Sequence, residues 1–102
     1  MEEASWHDAA ALADLDEEIG IPVRIGSTAI ALFRAADRVY ALDDFCPHQG
    51  SPLSSGLTRD GVLTCPLHAW QFRLSDGANV DGGPGLCAYP VRVLDGRIQV
   101  KS

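Results

Sequence analysis

Two short segments of this chain concentrate the side chains able to hold a metal: Cys46-Pro47-His48 and Cys65-Pro66-Leu67-His68, with sixteen residues between them. The chain has three Cys and three His, and four of those six fall in this pattern. Thiolates suit zinc and iron-sulfur centres and imidazoles suit zinc, iron and copper. A set of two and two narrows the choice to a Cys2His2 zinc site or a 2Fe-2S centre of mixed ligation. Structural zinc sites usually place two like ligands two to four residues apart. Here each segment delivers one sulfur and one nitrogen, which is what a cluster needs when both Cys bind one iron and both His the other. A zinc-stabilised binding module with no redox role is the alternative.

These ligands need loops, and the loops need a rigid frame. Residues 45–56 gather Pro47, Gly50, Pro52, Ser54, Ser55 and Gly56, a composition that no regular strand accommodates. A second loop, Gly82-Gly83-Pro84-Gly85, follows later. Loops of this kind carry function when a sheet supports them. The frame reads as short strands. Residues 28–33 and 38–42 predict a hairpin across the polar turn at Ala36 and Asp37. Residues 89–94 and 97–100 flank Asp95-Gly96, a dipeptide that readily supplies the positive φ angles of a tight hairpin turn. Residues 62–64 and 70–74 are further strand candidates between turn signals at Asp60-Gly61 and Ser75-Asp76-Gly77. Helical periodicity is weak, with residues 8–15 expected to form one short turn or an irregular start. The pattern predicts an all-β antiparallel sandwich or small barrel, and 102 residues predict a single domain, 1–102.

Composition excludes other classes. Hydrophobic residues make up 46% and charged residues 22%, which is ordinary for a folded domain. The net charge is −6, and seven of the fourteen acids lie between Glu2 and Glu18, ahead of the first basic residue, Arg24. An acidic end argues against nucleic-acid binding and fits either a solvated edge or docking on a basic protein surface. The apolar runs are too short to span a bilayer, and Met1-Glu2-Glu3 is unlike a secretory signal, so no membrane association and a cytoplasmic location are expected. Three cysteines make no disulfide framework. Cys87 matches no ligand position and reads as a buried small hydrophobe, His7 as a surface residue, and Trp6, Trp70 and Tyr89 as core or shielding side chains.

The strings C-P-H-Q-G-S-P-L-S-S-G at 46–56 and C-P-L-H-A-W-Q-F at 65–72 closely resemble the two cluster-binding boxes of Rieske proteins. The resemblance implies the Rieske iron-sulfur fold, three small antiparallel sheets with a cap formed by loops at about 44–56 and 64–72, and a cover loop at about 82–86. It implies a Rieske-type 2Fe-2S cluster, with Cys46 and Cys65 on a buried inner iron and His48 and His68 on an outer iron near the surface. Respiratory members carry an extra Cys in each box, joined as a disulfide. Ser51 and Leu67 stand at those positions, so no such bridge forms. Those members also carry a Ser and a Tyr that hydrogen-bond to sulfur, where this chain has Trp70 and Phe72. Hydrogen bonds to sulfur favour the reduced cluster, and neither Pro47 nor Pro66 offers an N–H, so a potential low in the Rieske range of roughly −150 to +300 mV is expected. The cover loop holds Pro84, where a second proline is often present in the family.

Residues 29–34, 39–44, 65–70, 72–77 and 89–93 resemble the small subunit of NAD(P)H-dependent assimilatory nitrite reductase, with the Rieske ferredoxins of aromatic ring-hydroxylating dioxygenases next. The chain is too short for an oxygenase catalytic domain, so the resemblance implies electron transfer rather than catalysis by this chain alone. The implied partners are a flavin-containing reductase or a large sirohaem and flavin nitrite reductase subunit, or else a terminal oxygenase.

Overall fold

A computed structural model of the chain describes residues 6–16, 20–35, 38–45, 52–54, 56–65 and 70–101. Ten strands form in the described residues: β1 (Trp6–Ala11), β2 (Ile21–Ile25), β3 (Thr28–Ala35), β4 (Arg38–Asp43), β5 (Leu57–Arg59), β6 (Val62–Thr64), β7 (Gln71–Arg73), β8 (Ala88–Tyr89), β9 (Val91–Leu94) and β10 (Arg97–Lys101). They make three antiparallel sheets, ordered β1-β10-β9, β2-β3-β4-β8 and β5-β6-β7.

The four-stranded sheet lies between the other two, and β3 shows why. Ile30, Ala31, Leu32 and Phe33 are all fully buried. Successive side chains alternate across the sheet: Ala31 and Phe33 pack with Leu42, Leu63, Phe72 and Leu74, whereas Ile30 and Leu32 pack with Ala41, Ile98 and Val100. A strand covered on both faces reads as an unbroken apolar run rather than an alternating one. The β5-β6-β7 sheet, in which both candidate ligand loops end, is therefore anchored to the middle layer by Leu63 and Phe72.

The predicted hairpins form. β3 pairs with β4 from Ile30 opposite Asp43 to Ala35 opposite Arg38, while the turn residues Ala36 and Asp37 lie outside the described residues. β9 and β10 close through Asp95 at φ 50° and Gly96 at φ 76°, and β5 and β6 close the same way through Asp60 at φ 52° and Gly61 at φ 77°. In both pairs the glycine takes the second positive-φ position at no steric cost. Tyr89 belongs not to the last hairpin but to β8, which pairs with β4, because Pro90 interrupts the ladder and the chain changes sheets there.

The start of the chain corrects its expectation. Residues 6–11 are a strand and only Leu12–Asp14 form a 3-10 turn. Asp and Ala are poor strand formers, yet pairing with β10 overrides that preference. Trp6 helps: it is half-buried, with the Arg92 guanidinium carbon 4.3 Å from its ring centroid. β2 is a further strand that sequence patterning misses, since Pro22 interrupts an otherwise apolar run. It is an edge strand, where proline is tolerated.

Candidate metal centre

Both ligand loops meet at the β5–β6 pair. The first leaves β4 at Asp43 and enters β5 after Gly56. The second leaves β6 after Thr64 and enters β7 at Gln71. Leu57 lies opposite Thr64, and a Cβ on Gly56 would stand 2.4 Å from the Thr64 carbonyl oxygen. The end of one loop thus touches the start of the other, backbone to backbone. The second loop is pinched shut at its base, where the Cys65 N–H donates to the Trp70 carbonyl at 2.7 Å.

Cys65 is described, and it is 1% exposed, among Leu53, Leu63 and Phe72. A buried thiol at the mouth of a loop suits an inner, shielded metal position. Cys46, His48 and His68 lie outside the described residues, as do Pro47, Gly50, Ser51, Pro66 and Leu67. Phe72 is fully buried and Trp70 half-buried, with ring centroids 6.5 Å apart and tilted by 48°. Both rings thus pack in the cluster that holds Cys65.

The stretch expected to cover the centre is held against β7. The Val80 N–H donates to the Gln71 carbonyl at 2.9 Å, and the Leu86 N–H donates to the Gly77 carbonyl at 2.8 Å. The Asn79 side-chain amide donates to the Pro84 carbonyl at 3.3 Å. Gly82, Gly83, Pro84 and Gly85 are exposed, whereas Leu86 turns inward onto the core.

Two residues ahead of the first loop were not singled out by sequence reasoning. Asp44 accepts from the Ser54 N–H at 2.7 Å and from its hydroxyl at 3.2 Å. Buried Asp43 accepts from the Tyr89 hydroxyl at 2.7 Å and the Cys87 N–H at 3.0 Å. The available signal was a pair of Asp residues entering a Pro- and Gly-rich loop, a position where carboxylates commonly accept backbone N–H bonds.

Cys87 corrects its expectation: it is exposed. Its N–H and carbonyl are held by Asp43, which fixes the backbone and leaves the side chain outward. The Asp43 carboxylate pushes the thiol pKa up, with desolvation adding to it. His7 is exposed, as expected.

Tyr89 is half-buried, and desolvation followed by its hydrogen bond to Asp43 pushes its phenol above the ordinary value of 10.0. A folded-state pKa raised above the unfolded one contributes stability that is fully present below pH 10 and is lost as pH rises beyond it. The melting temperature should therefore fall as pH is raised above about 10. Tyr89→Phe should remove part of that alkaline slope, and a slope identical in both proteins would exclude this source.

The donor set of two thiolates and two imidazoles, with the one described thiol buried beside an apolar wall, fits a 2Fe-2S cluster of mixed ligation. Comparison with known proteins agrees. The Rieske 2Fe-2S domain matches residues 5–92. The anthranilate 1,2-dioxygenase ferredoxin subunit of Burkholderia cepacia is 32% identical over 105 residues, covering 95% of this chain and 92% of that protein. The large subunit of nitrite reductase [NAD(P)H] from Klebsiella oxytoca is 40% identical over 99 residues, covering 88% of this chain but 10% of that protein. A Mycobacterium tuberculosis structure assigned as the small subunit of an NADH-dependent nitrite reductase superposes with a TM-score of 0.89 at 31% identity, covering 99% of this chain and 97% of that one.

Proposed function

This chain belongs to the Rieske 2Fe-2S family, and from that membership we propose that it passes single electrons as the small subunit of an NAD(P)H-dependent nitrite reductase. Cys46 and Cys65 would hold the inner iron, and His48 and His68 the outer one. When bound, the cluster supplies one-electron chemistry. The chain's own residues bind, shield and orient it. The observation that carries the reading is the Cys65 thiol, 1% exposed at the base of a closed loop inside the matched region.

Leu53, Leu63, Phe72 and Leu86 would keep water from the inner side of the site, since they are buried in the same core cluster as Cys65. The partner would be a large subunit carrying sirohaem and flavin, with the flavin as electron source. An exposed free thiol at Cys87 fits a reducing compartment such as the cytoplasm.

A second reading, a ferredoxin serving a terminal oxygenase, is favoured by the likeness to the Burkholderia cepacia protein. Affinity purification of the tagged holoprotein from its own host separates them. Copurification of a sirohaem and flavin protein, with reduction of nitrite by NAD(P)H in the reconstituted pair, is the expected result. Copurification of an oxygenase would reverse the assignment.

Phe72 also sets an expectation for the potential. Its ring is buried at the position where respiratory members place a hydroxyl that donates to sulfur. The midpoint should lie low in the family range, below about +100 mV, and Phe72→Tyr should raise it by stabilising the more negative reduced state. Redox titration monitored by EPR checks both. A wild-type midpoint well above that bound, or an unmoved potential in Phe72→Tyr, would contradict the argument.

A further inference from the structure

We propose that the adjacent carboxylates of Asp43 and Asp44 are positioning residues that hold the first ligand loop and the covering loop at one strand end, so that cluster retention depends on the geometry of their hydrogen bonds. The inference rests on the Rieske cluster reading above.

β4 ends at Asp43. Asp44 is tied to β3 by its own N–H, which donates to the Ala29 carbonyl at 3.0 Å. From that fixed point its two carboxylate oxygens take the N–H and the hydroxyl of Ser54. Ser54 is ten residues further on, and the segment between carries Cys46 and His48. A second clasp follows, with the Gly56 N–H donating to the Leu53 carbonyl at 2.9 Å. The loop is thus closed at its base before a metal is considered.

Asp43 reaches another part of the chain. One oxygen takes the Tyr89 hydroxyl and the other the Cys87 N–H, while its own N–H donates to the Cys87 carbonyl at 3.1 Å. Cys87 directly follows the covering stretch 82–86. Two loops far apart in sequence therefore hang from neighbouring residues, and among the described residues each of the four carboxylate oxygens accepts a hydrogen bond. Asp43 and Ser54 are both buried, so water is a poor substitute for the lost partner. Groups that orient metal ligands change metal affinity by about ten- to hundredfold when removed.

Asparagine separates position from charge. At Asp44→Asn the amide oxygen can accept from the Ser54 N–H while the amide nitrogen donates to the Ser54 hydroxyl. At Asp43→Asn the oxygen can accept from Cys87 and the nitrogen donate to Tyr89. Alanine removes both charge and geometry. The holoproteins of the wild type and these four variants should be compared by the rate at which an iron chelator bleaches the visible absorption and by the EPR line shape after reduction. Expected are about tenfold faster bleaching and a broadened or displaced EPR signal for each alanine variant, with both asparagine variants within about twofold of wild type. Should an alanine variant fail to fold, Ser54→Ala and Tyr89→Phe each delete one donor and should bleach faster than wild type by a smaller factor. Equal behaviour of asparagine and alanine at a site, or wild-type behaviour of the alanine and single-donor variants, would overturn the proposal while leaving the cluster in place. A wild-type protein without iron and labile sulfide would overturn the cluster reading, and this proposal with it.

Discussion

Cys65→Ala should give a folded protein that is colourless as isolated and EPR-silent after reduction. The fold should survive because the bond that closes the second loop runs from the Cys65 backbone N–H to Trp70, and alanine retains it. What is lost is one sulfur atom, buried to 1% exposure among Leu53, Leu63 and Phe72. Removing a group that merely orients a metal ligand costs about ten- to hundredfold in affinity, so removing a ligand itself should cost more than roughly a hundredfold. Iron and labile sulfide analysis beside circular dichroism separates loss of cluster from loss of fold. Cys87→Ser is the matching control, because that side chain is exposed and serine keeps the backbone N–H that Asp43 uses. A red-brown Cys65→Ala protein with an unchanged reduced spectrum would remove Cys65 from the ligand set. Zinc in place of iron in the wild type would remove the cluster altogether.

Gly56→Ala should be nearly as damaging by a different route. The added Cβ would stand 2.4 Å from the Thr64 carbonyl oxygen and 3.1 Å from that of Leu53. Both obstacles are backbone, and neither can rotate away as a side chain would. Relief requires the end of the first loop to move off the start of the second, and Leu57 opposite Thr64 to separate with it. Overpacking of this kind costs about 1–3 kcal/mol. For a domain of this size that should lower the melting temperature by roughly 4 to 24 °C. The same displacement spreads the two loops that must share one cluster, so iron content should fall together with stability. A Gly56→Ala protein with wild-type melting and full iron would show that the two loops need not touch.

Local chemistry made much of the frame legible. Asp95-Gly96 and Asp60-Gly61 mark tight turns because glycine accepts positive φ freely, and both turns lie where the sequence places them. The β-type run at 28–33 marks a strand, and the structure buries its residues 30–33 on both faces. Of the strands that escaped notice, β5 is only three residues long, and the other two have residues that argue against them. β1 contains Asp8 and three alanines, and β2 contains Pro22. Each forms because a partner strand is already there: β10 comes from the far end of the chain to meet β1, and β3 returns through a two-residue turn to pair with β2.

The site divides along the same line. The order of Cys and His in two Pro-bearing boxes is a property of neighbouring residues, and it identified the family, the cluster type and the low-potential expectation without any coordinates. Burial and long-range partnership are not properties of neighbouring residues. Cys65 stands in a Cys-Pro-Leu-His box and Cys87 outside one, but neither neighbourhood in sequence says that the first lies buried in an apolar cluster and that the second is exposed beside Asp43. Asp43 finds its donors 44 and 46 positions away, and only the packing of β8 onto β4 brings them within reach. Sequence alone thus marked which side chains are the candidate ligands, since that depends on chemical type and short spacing. Tertiary structure decided that Cys65 is shielded and what closes the bases of the two loops, since those depend on distances that only the folded chain makes short.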